Sequence, residues 1–411
     1  MKNRHLNTAT GVYMNYFLLG MVNIMLASNM SYLSEQWDTD SAGISYIIAA
    51  IGVGKLLTYA YTGYLSDKIG RKPLVYASAF GMGIFLIGIP LSPSYQLAFV
   101  FAILAGVANS SMDAGSYPGL IEIFPNSAGS ASVLVKAFMS AGAFLLPFMI
   151  LFISDHDMFY GYAFFIPAAI YLINMLFLFT VSFPSNPKGK ASMPENTTKK
   201  SKFKGKPVLR KEGFALILIG FTSTGLFTVS QIWLPSYGQE AVGMSIANSI
   251  KLLSYYSLGA LISVLVLSVL LKKFLQPITV IMVYPIITFI SILTILLVKI
   301  PIIVSITAFF IGLSTAGVFQ LAITIMTEFF WEKKGTVTGF VATAAGLASI
   351  VMPLITGMMS KSGNISIIFI FDAFLSIIGF ISAVYVYYRH GQLVDKNKKP
   401  EEEKVDFRLN A

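Results

Sequence analysis

The feature that most constrains this chain is a series of twelve apolar blocks, each about 20 to 25 residues long and poor in charge. Such a block is long enough to cross a hydrocarbon core about 30 Å thick as an α-helix. The composition agrees, because 55% of the residues are hydrophobic and 12% are charged, against about a quarter charged in soluble domains. The sequence therefore excludes a water-soluble fold and predicts an all-α integral membrane protein.

Polar segments divide the blocks into two sets of six. We number the blocks span one to span twelve, with predicted bounds 9–33, 42–65, 73–93, 95–121, 130–153, 159–183, 212–235, 246–271, 276–298, 300–327, 336–359 and 365–388. The stretch 184–211 carries nine Lys or Arg together with Ser, Thr, Asn and Pro, a composition typical of a linker. We therefore expect six-helix bundles at 1–183 and 212–388, joined by a cytoplasmic linker at 184–211 and followed by a cytoplasmic tail at 389–411.

The two halves share residues at a constant offset. A shift of 206 positions superposes Gly106 on Gly312 and Pro147 on Pro353, and also superposes Glu122 on Glu328 at the ends of spans four and ten. These identities lie at equivalent helix ends and loops, so an internal duplication explains them. Duplicated halves are typical of a transporter whose site lies at the interface between them.

The basic residues indicate the orientation of the spans. With both termini in the cytoplasm, 24 of the 29 Lys and Arg fall on the cytoplasmic side, and only Lys299 and Lys361 fall outside. This distribution follows the positive-inside rule. It also accounts for the formal charge of +10 without a nucleic-acid partner, because the chain has no folded basic domain.

Residue types that metal sites and most enzymes need are scarce. The chain has no cysteine, and its three histidines, His5, His156 and His390, lie outside every apolar block. We therefore expect no metal site, no cofactor and no catalytic residues. A membrane enzyme would need a cluster of catalytic groups, and a sensor would need an added domain; neither is visible in the sequence. We expect a monomer surrounded by membrane lipids.

The segment between spans two and three contains a short motif. It reads GYLSDKIGRKPL and resembles the signature of the major facilitator superfamily at Gly63, Asp67, Gly70, Arg71 and Lys72. Gly63 is expected to allow a neighbouring helix to approach, and Asp67 to accept from amides at a helix N-terminus. Gly70 is expected to permit the turn that directs Arg71 and Lys72 toward headgroups or carboxylates. The resemblance implies that this motif acts as a conformational gate. Glu122 and Glu328 are expected either to act as a pair in that gate or to be solvated carboxylates near helix ends.

A closer resemblance covers nearly the whole chain. The runs NSSMDAGSYPGLIEIFP, VLVKAF and SIKLLS are similar to the YdiM/YdiN group of bacterial inner-membrane transport proteins. The group implies a transporter of the bacterial cytoplasmic membrane, with small hydroxylated or aromatic acids as candidate substrates. Drug-proton antiporters of the superfamily carry a Gly-Pro pattern in span five, whereas this span has Pro147 without a Gly-Pro pair. Many proton-coupled members carry an arginine where span four has Ala102.

An unpaired charge deep in a span is costly and therefore indicates function. Of the ionisable residues in the spans, Asp372 in span twelve is expected to face protein rather than the cavity, and the other four are candidates for the site. Lys55 in span two lies near the midplane, and Lys251 in span eight lies nearer the outside. Asp113 in span four and Lys136 in span five lie at matching depths on the cytoplasmic side, which predicts an ion pair. With no histidine in the membrane, Asp113 is the candidate proton carrier and Lys136 its partner.

Further polar residues fall on spans that line the central cavity of the superfamily. With Lys55 and Lys251, the candidate substrate-binding residues are Asn29, Asn109, Tyr117, Gln231, Tyr255 and Gln320. Three lysines against one aspartate favour an anionic substrate, whose carbon skeleton the aromatic and apolar walls can accept. We expect proton-coupled uptake of a small organic anion by alternating access. The alternative, proton-driven efflux of amphipathic compounds, is disfavoured by the span-five pattern.

Overall fold

The computed structural model describes residues 5–124, 127–183, 207–330 and 334–393, and these residues form helices and connecting turns without a β-strand. Their helices include twelve that are long and apolar enough to cross a membrane, which confirms the predicted count. The predicted linker and tail lie almost entirely outside the described residues, so the boundaries of the two halves stay a prediction.

The helices match the predicted spans closely. In the first half they are Leu6–Ser28 and Met30–Gln36 (span one), Ser41–Ile69 (two), Arg71–Leu91 (three), Tyr95–Ile123 (four), Ala128–Asp155 (five) and Tyr162–Thr180 (six). In the second half they are the π-helical turn Leu209–Gly213 and Phe214–Glu240 (seven), Ile246–Lys273 (eight), Pro277–Leu297 (nine), Pro301–Thr315 and Val318–Phe329 (ten), Lys334–Ser360 (eleven) and Ser366–Leu393 (twelve).

Two spans are interrupted, which a continuous apolar pattern did not predict. Span one breaks at Asn29, which separates its two helices. Span ten breaks at Ala316 and Gly317, and Gly317 has a φ of 87°, a conformation that glycine adopts without strain. Polar caps start other helices: the Asp40 carboxylate accepts from the Gly43 amide at 2.9 Å at the start of span two.

Glycines allow the closest helix crossings in both halves. A Cβ on Gly106 of span four would overlap the carbonyl oxygen of Ile51 in span two, and a Cβ on Gly54 would overlap that of Ile103. In the second half, at the crossing of spans ten and eight, a Cβ on Gly312 would overlap the carbonyl oxygen of Tyr256. A Cβ on Gly259 would overlap that of Phe309. The backbone of the crossing is therefore repeated in the two halves, as the internal duplication predicts.

The two halves contact each other on one side of the molecule. We call the side that holds Gly70, Leu209 and Leu393 the linker face, and the opposite side the far face. Near the far face, Ser45 of span two donates to the Pro353 carbonyl of span eleven at 2.7 Å, and Ser254 of span eight donates to the Phe144 carbonyl of span five at 3.0 Å. The contact between spans two and eleven continues to Leu56, which packs against Gly346.

Candidate substrate and proton site

A group of four polar side chains meets where spans one, two and four come together. The Lys55 ammonium lies 2.9 Å from Asp113 Oδ2 and donates to Asn109 Oδ1 at 3.1 Å. The hydroxyl of Tyr16 donates to the other oxygen, Asp113 Oδ1, at 3.1 Å. Both carboxylate oxygens are thus engaged, and we call Tyr16, Lys55, Asn109 and Asp113 the charged cluster.

The helical spacing and the glycine crossing explain why these residues meet. Asn109 and Asp113 are four residues apart, so they lie on the same face of span four. One turn earlier on that helix, Gly106 lies against the backbone around Lys55. The close crossing therefore brings the lysine stem within reach of both side chains. Lys55 of the cluster precedes Leu56, which packs against Gly346 of the second half.

Solvent reaches one end of the cluster. The Lys55 side chain is 38% exposed, whereas the Asp113 side chain is 11% exposed and Tyr16 is fully buried. The ring of Tyr117 lies 5.5 Å from that of Tyr16. The phenol of Tyr59, which is exposed, lies within electrostatic range of Asp113 and Lys55. The accessible side of the cluster thus combines a cation with aromatic surface.

The predicted pair between Asp113 and Lys136 is wrong, because Asp113 pairs with Lys55. Lys136 is partly buried, and within the described ranges it has no hydrogen bond or ion pair. It still lies within electrostatic range of both Asp113 and Lys55. Matching depth along two helices does not fix how each helix is rotated about its axis, and the crossing of spans two and four decided the partner.

The remaining predicted substrate residues are not part of the charged cluster. Asn29 is fully buried at the break in span one, where its side chain donates to the Met25 carbonyl at 2.9 Å. Lys251 donates to Asn248 on its own helix at 3.3 Å. Gln231 is buried, Gln320 is partly buried and Tyr255 is 38% exposed. All five stay predictions for a substrate that contacts both halves.

The signature motif forms a turn of one residue. The helix of span two continues to Ile69 and that of span three begins at Arg71, so the expected loop is reduced to Gly70, whose φ is 92°. The expectation for Gly63 is wrong, because a Cβ there would meet nothing within 4 Å. The Asp67 carboxylate accepts from Arg71 at 2.8 Å instead of from helix amides, since the helix passes through its position.

Arg71 is the centre of a second polar network at the linker face. Its buried guanidinium donates to the Ser66 carbonyl at 2.8 Å and to Asp67 at 2.8 Å. It also donates to Glu122 Oε1 on span four, at 3.2 Å from Nη2. These bonds join the ends of spans two, three and four. Lys72 joins span six to them by donating to the Val181 carbonyl at 2.9 Å.

Glu122 and Glu328 occupy matched positions but differ in their contacts. Glu122 is partly buried against Arg71, whereas Glu328 is exposed and forms no ion pair within the part of the chain that the structure describes. At the linker face of the second half, the bonded carboxylate is instead that of Glu212. It accepts from the Val208 amide at 2.7 Å and from Arg389 at 2.6 Å.

Two buried side chains with polar contacts inside the spans were not among the predicted site residues. Tyr16 lies in an apolar run of span one, and its only sequence signal is a phenol in a membrane helix. Asp372 of span twelve is fully buried, and the hydroxyl of Ser230 in span seven donates to its Oδ2 at 3.3 Å. It faces protein, as its place in span twelve predicted.

Comparison with known proteins identifies the family. The family model of the Major Facilitator Superfamily matches residues 12–330 and 252–410. The chain belongs to the major facilitator superfamily. It is 60% identical over 395 residues to the MFS-type transporter YfkL of Bacillus subtilis, covering 96% of this chain and 99% of that protein. It is 38% identical over 387 residues to the inner membrane transport protein YdiM of Escherichia coli, covering 94% and 95%.

A solved structure supports the fold of this major facilitator protein. The crystal structure of the nucleoside transporter NupG superposes with a TM-score of 0.74 at 11% identity, covering 93% of this chain and 99% of that one. At such low identity the likeness shows the fold alone. Together the comparisons establish a multi-pass membrane transporter with two six-helix bundles, and not an enzyme.

Proposed function

We propose that this secondary transporter couples the movement of a small organic anion to protons, with the charged cluster as the site where the two meet. The observation that carries the proposal is the bonding of Asp113 to Lys55 and Tyr16, next to Leu56, which packs against Gly346 of the second half. An ionisable pair at membrane depth is rare outside substrate and ion pathways.

Asp113 has the surroundings that a proton carrier needs. As a carboxylate it is stabilised by the Lys55 ammonium and the Tyr16 hydroxyl; when protonated it no longer holds the lysine by charge. A change in hydration as the cavity opens or closes therefore changes the balance between the two forms. Proton uptake at Asp113 would release Lys55 from its partner.

The charge balance of the site supports an anionic substrate. Lys55 and Lys136 bring two cations against the single carboxylate of Asp113, all within electrostatic range of one another. The partly exposed rings of Tyr59 and Tyr117 supply surface for an apolar or aromatic skeleton. Small hydroxylated or aromatic acids satisfy both conditions.

Polar contacts at the two faces support an alternating-access cycle. On the far face, Lys361 of the second half lies 3.8 Å from Asp40 of the first half, beside the bond from Ser45 to Pro353. On the linker face, the Arg71 network joins spans of the first half only. We infer that the far-face contacts break and linker-face contacts between the halves form when the bundles rock.

The orientation follows from the basic residues. We place the linker face, both termini and the Arg71 network on the cytoplasmic side of a bacterial inner membrane, where Lys and Arg are enriched. In this orientation uptake ends with release on the side of the linker face, into the cell. We expect the protein to act as a monomer.

Transport into proteoliposomes tests the proposal. Labelled shikimate, quinate and isophthalate are offered with and without a gradient that is acidic outside, and protein-free liposomes provide the background. We expect an organic acid to accumulate only with the gradient. Acid uptake that ignores the gradient contradicts proton coupling, and gradient-driven movement of ethidium without any acid favours the efflux alternative.

A further inference from the structure

The second lysine of the site carries an inference that rests on the proposed function and makes it more specific. Lys136 is a cation on span five that is partly buried, and it has no hydrogen-bond or ion-pair partner within the described part of the chain. The other deep lysines differ: Lys55 is paired with Asp113, and Lys251 bonds to Asn248. A cation at membrane depth without a partner is costly, so its position calls for a ligand.

We propose that Lys136 is the primary contact for the substrate carboxylate, and that the substrate carries one negative charge. With Asp113 ionised, Lys55 and Asp113 cancel, and Lys136 in its protonated form leaves one positive charge for the substrate to balance. A monocarboxylate balances it. A dicarboxylate would bring a second negative charge next to Asp113, where like charges repel. The ligand class is thus a ring-bearing or hydroxylated monocarboxylate.

The same arrangement makes binding of the anion depend on the proton. The groups near Asp113 are Tyr16 from span one, Lys55 and Tyr59 from span two, Tyr117 from span four, and Lys136 from span five. When Asp113 takes up a proton, its negative charge disappears and the Lys55 ammonium becomes available as a second donor. Protonation of Asp113 therefore strengthens binding of the anion, and by linkage the bound anion favours the protonated carboxyl.

Direct binding to the purified full-length protein in detergent tests this assignment. Benzoate, isophthalate and benzamide share a ring and carry one, two and no negative charges, and shikimate adds a hydroxylated monocarboxylate. Isothermal titration at about pH 7 keeps these acids ionised, since carboxyl groups titrate near 4. We compare wild type with Lys136→Gln, Lys136→Arg and, as a control at an exposed lysine outside the site, Lys299→Gln.

Wild type is expected to bind a monocarboxylate, and to bind isophthalate and benzamide weakly. Loss of one charge-assisted contact predicts a drop in affinity of about tenfold or more for Lys136→Gln, whereas Lys136→Arg and Lys299→Gln stay within a few-fold. Since Lys136 has no partner to lose, Lys136→Gln is expected to unfold at the same temperature as wild type or higher.

Three results would overturn the inference. Unchanged monocarboxylate affinity in a folded Lys136→Gln variant removes the residue from the site. Tighter binding of isophthalate than of benzoate, or no binding of either benzoate or shikimate to wild type, contradicts the monocarboxylate class. In each case gradient-driven uptake of isophthalate by the same preparation would leave proton-coupled anion transport standing, so the two proposals fail separately.

Discussion

The two halves of the molecule contain the same helix crossing, but the side chains next to that crossing differ in chemical type. Gly54 and Gly106 bring spans two and four together in the first half, as Gly259 and Gly312 bring spans eight and ten together in the second. Lys55 follows Gly54, but Ala260 follows Gly259. Seven residues after Gly106 stands Asp113; the same distance after Gly312 stands Phe319.

The second half has hydroxyl groups at this crossing and no charge at the positions that match Lys55 and Asp113. Thr315 occupies the position after Gly312 that Asn109 occupies after Gly106, and it shares a hydrogen bond of 3.0 Å with Tyr256. Thr288 and Ser314 pair at 2.8 Å nearby. The same backbone crossing therefore occurs in both halves. The ion pair that we propose for substrate and proton binding, Lys55 and Asp113, occurs only at the crossing of the first half.

The largest expected effect tests the shared architecture. Gly106→Leu and Gly312→Leu each place a side chain where a neighbouring backbone carbonyl lies. Overpacking in a close-packed interior costs about 1–3 kcal/mol or more, and backbone neighbours leave little room to relax. Both variants are expected to lose folded protein in fluorescence size-exclusion chromatography.

The matched control for this pair is Gly119→Ala on span four, where a Cβ would meet nothing within 4 Å. It is expected to fold like wild type. A Gly312→Leu variant that folds normally while Gly106→Leu does not would show that the crossing is essential in one half only.

The next effect concerns the charged pair. Removing one partner of a buried ion pair costs about 3–5 kcal/mol; because Lys55 is more than a third exposed, we expect about 1–2 kcal/mol for Lys55→Gln or Asp113→Asn. The double variant is expected to recover part of this loss. A double-mutant cycle on thermal unfolding measures the coupling, and additive losses would mean that the pair adds no stability.

A smaller effect is expected for the buried carboxyl of the second half. Asp372→Asn keeps the shape of the side chain and an acceptor for Ser230, so its unfolding free energy should change by no more than about 1 kcal/mol. Because Asp372 faces protein and not the charged cluster, gradient-driven uptake should persist. Loss of coupling in a folded Asp372→Asn variant would show that the second half also carries a proton, and the contrast between the halves would fail.

The smallest effect is expected at the far face, where the two halves meet. Asp40 and Lys361 lie 3.8 Å apart with side chains 57% and 56% exposed. Exposed pairs contribute about 0.2–1 kcal/mol, so Lys361→Gln should lower the unfolding midpoint only slightly, and less still at high salt. A large, salt-independent loss would indicate that this pair holds the halves together.

The sequence predicts the fold well because length and hydropathy determine how many helices cross a membrane. Gly70 was predictable for a similar reason, since a positive φ between two helices favours glycine. The partner of Asp113 was not predictable from the sequence. The depth of a residue in the membrane does not show which neighbouring helix its side chain faces. Asn29 and Gly63 show the same limit. The role of a polar or a small residue depends on which residues pack against it, and a single sequence does not identify those residues.

The central claim, that Asp113 carries the coupled proton, is tested most directly by separating exchange from accumulation in Asp113→Asn. The amide imitates the neutral carboxyl permanently, so proteoliposomes with this variant should still exchange labelled shikimate across the membrane in counterflow. The same vesicles should fail to accumulate shikimate when the outside is made acidic, whereas wild type accumulates it. Accumulation by the variant at the wild-type level, with exchange intact, would contradict the account.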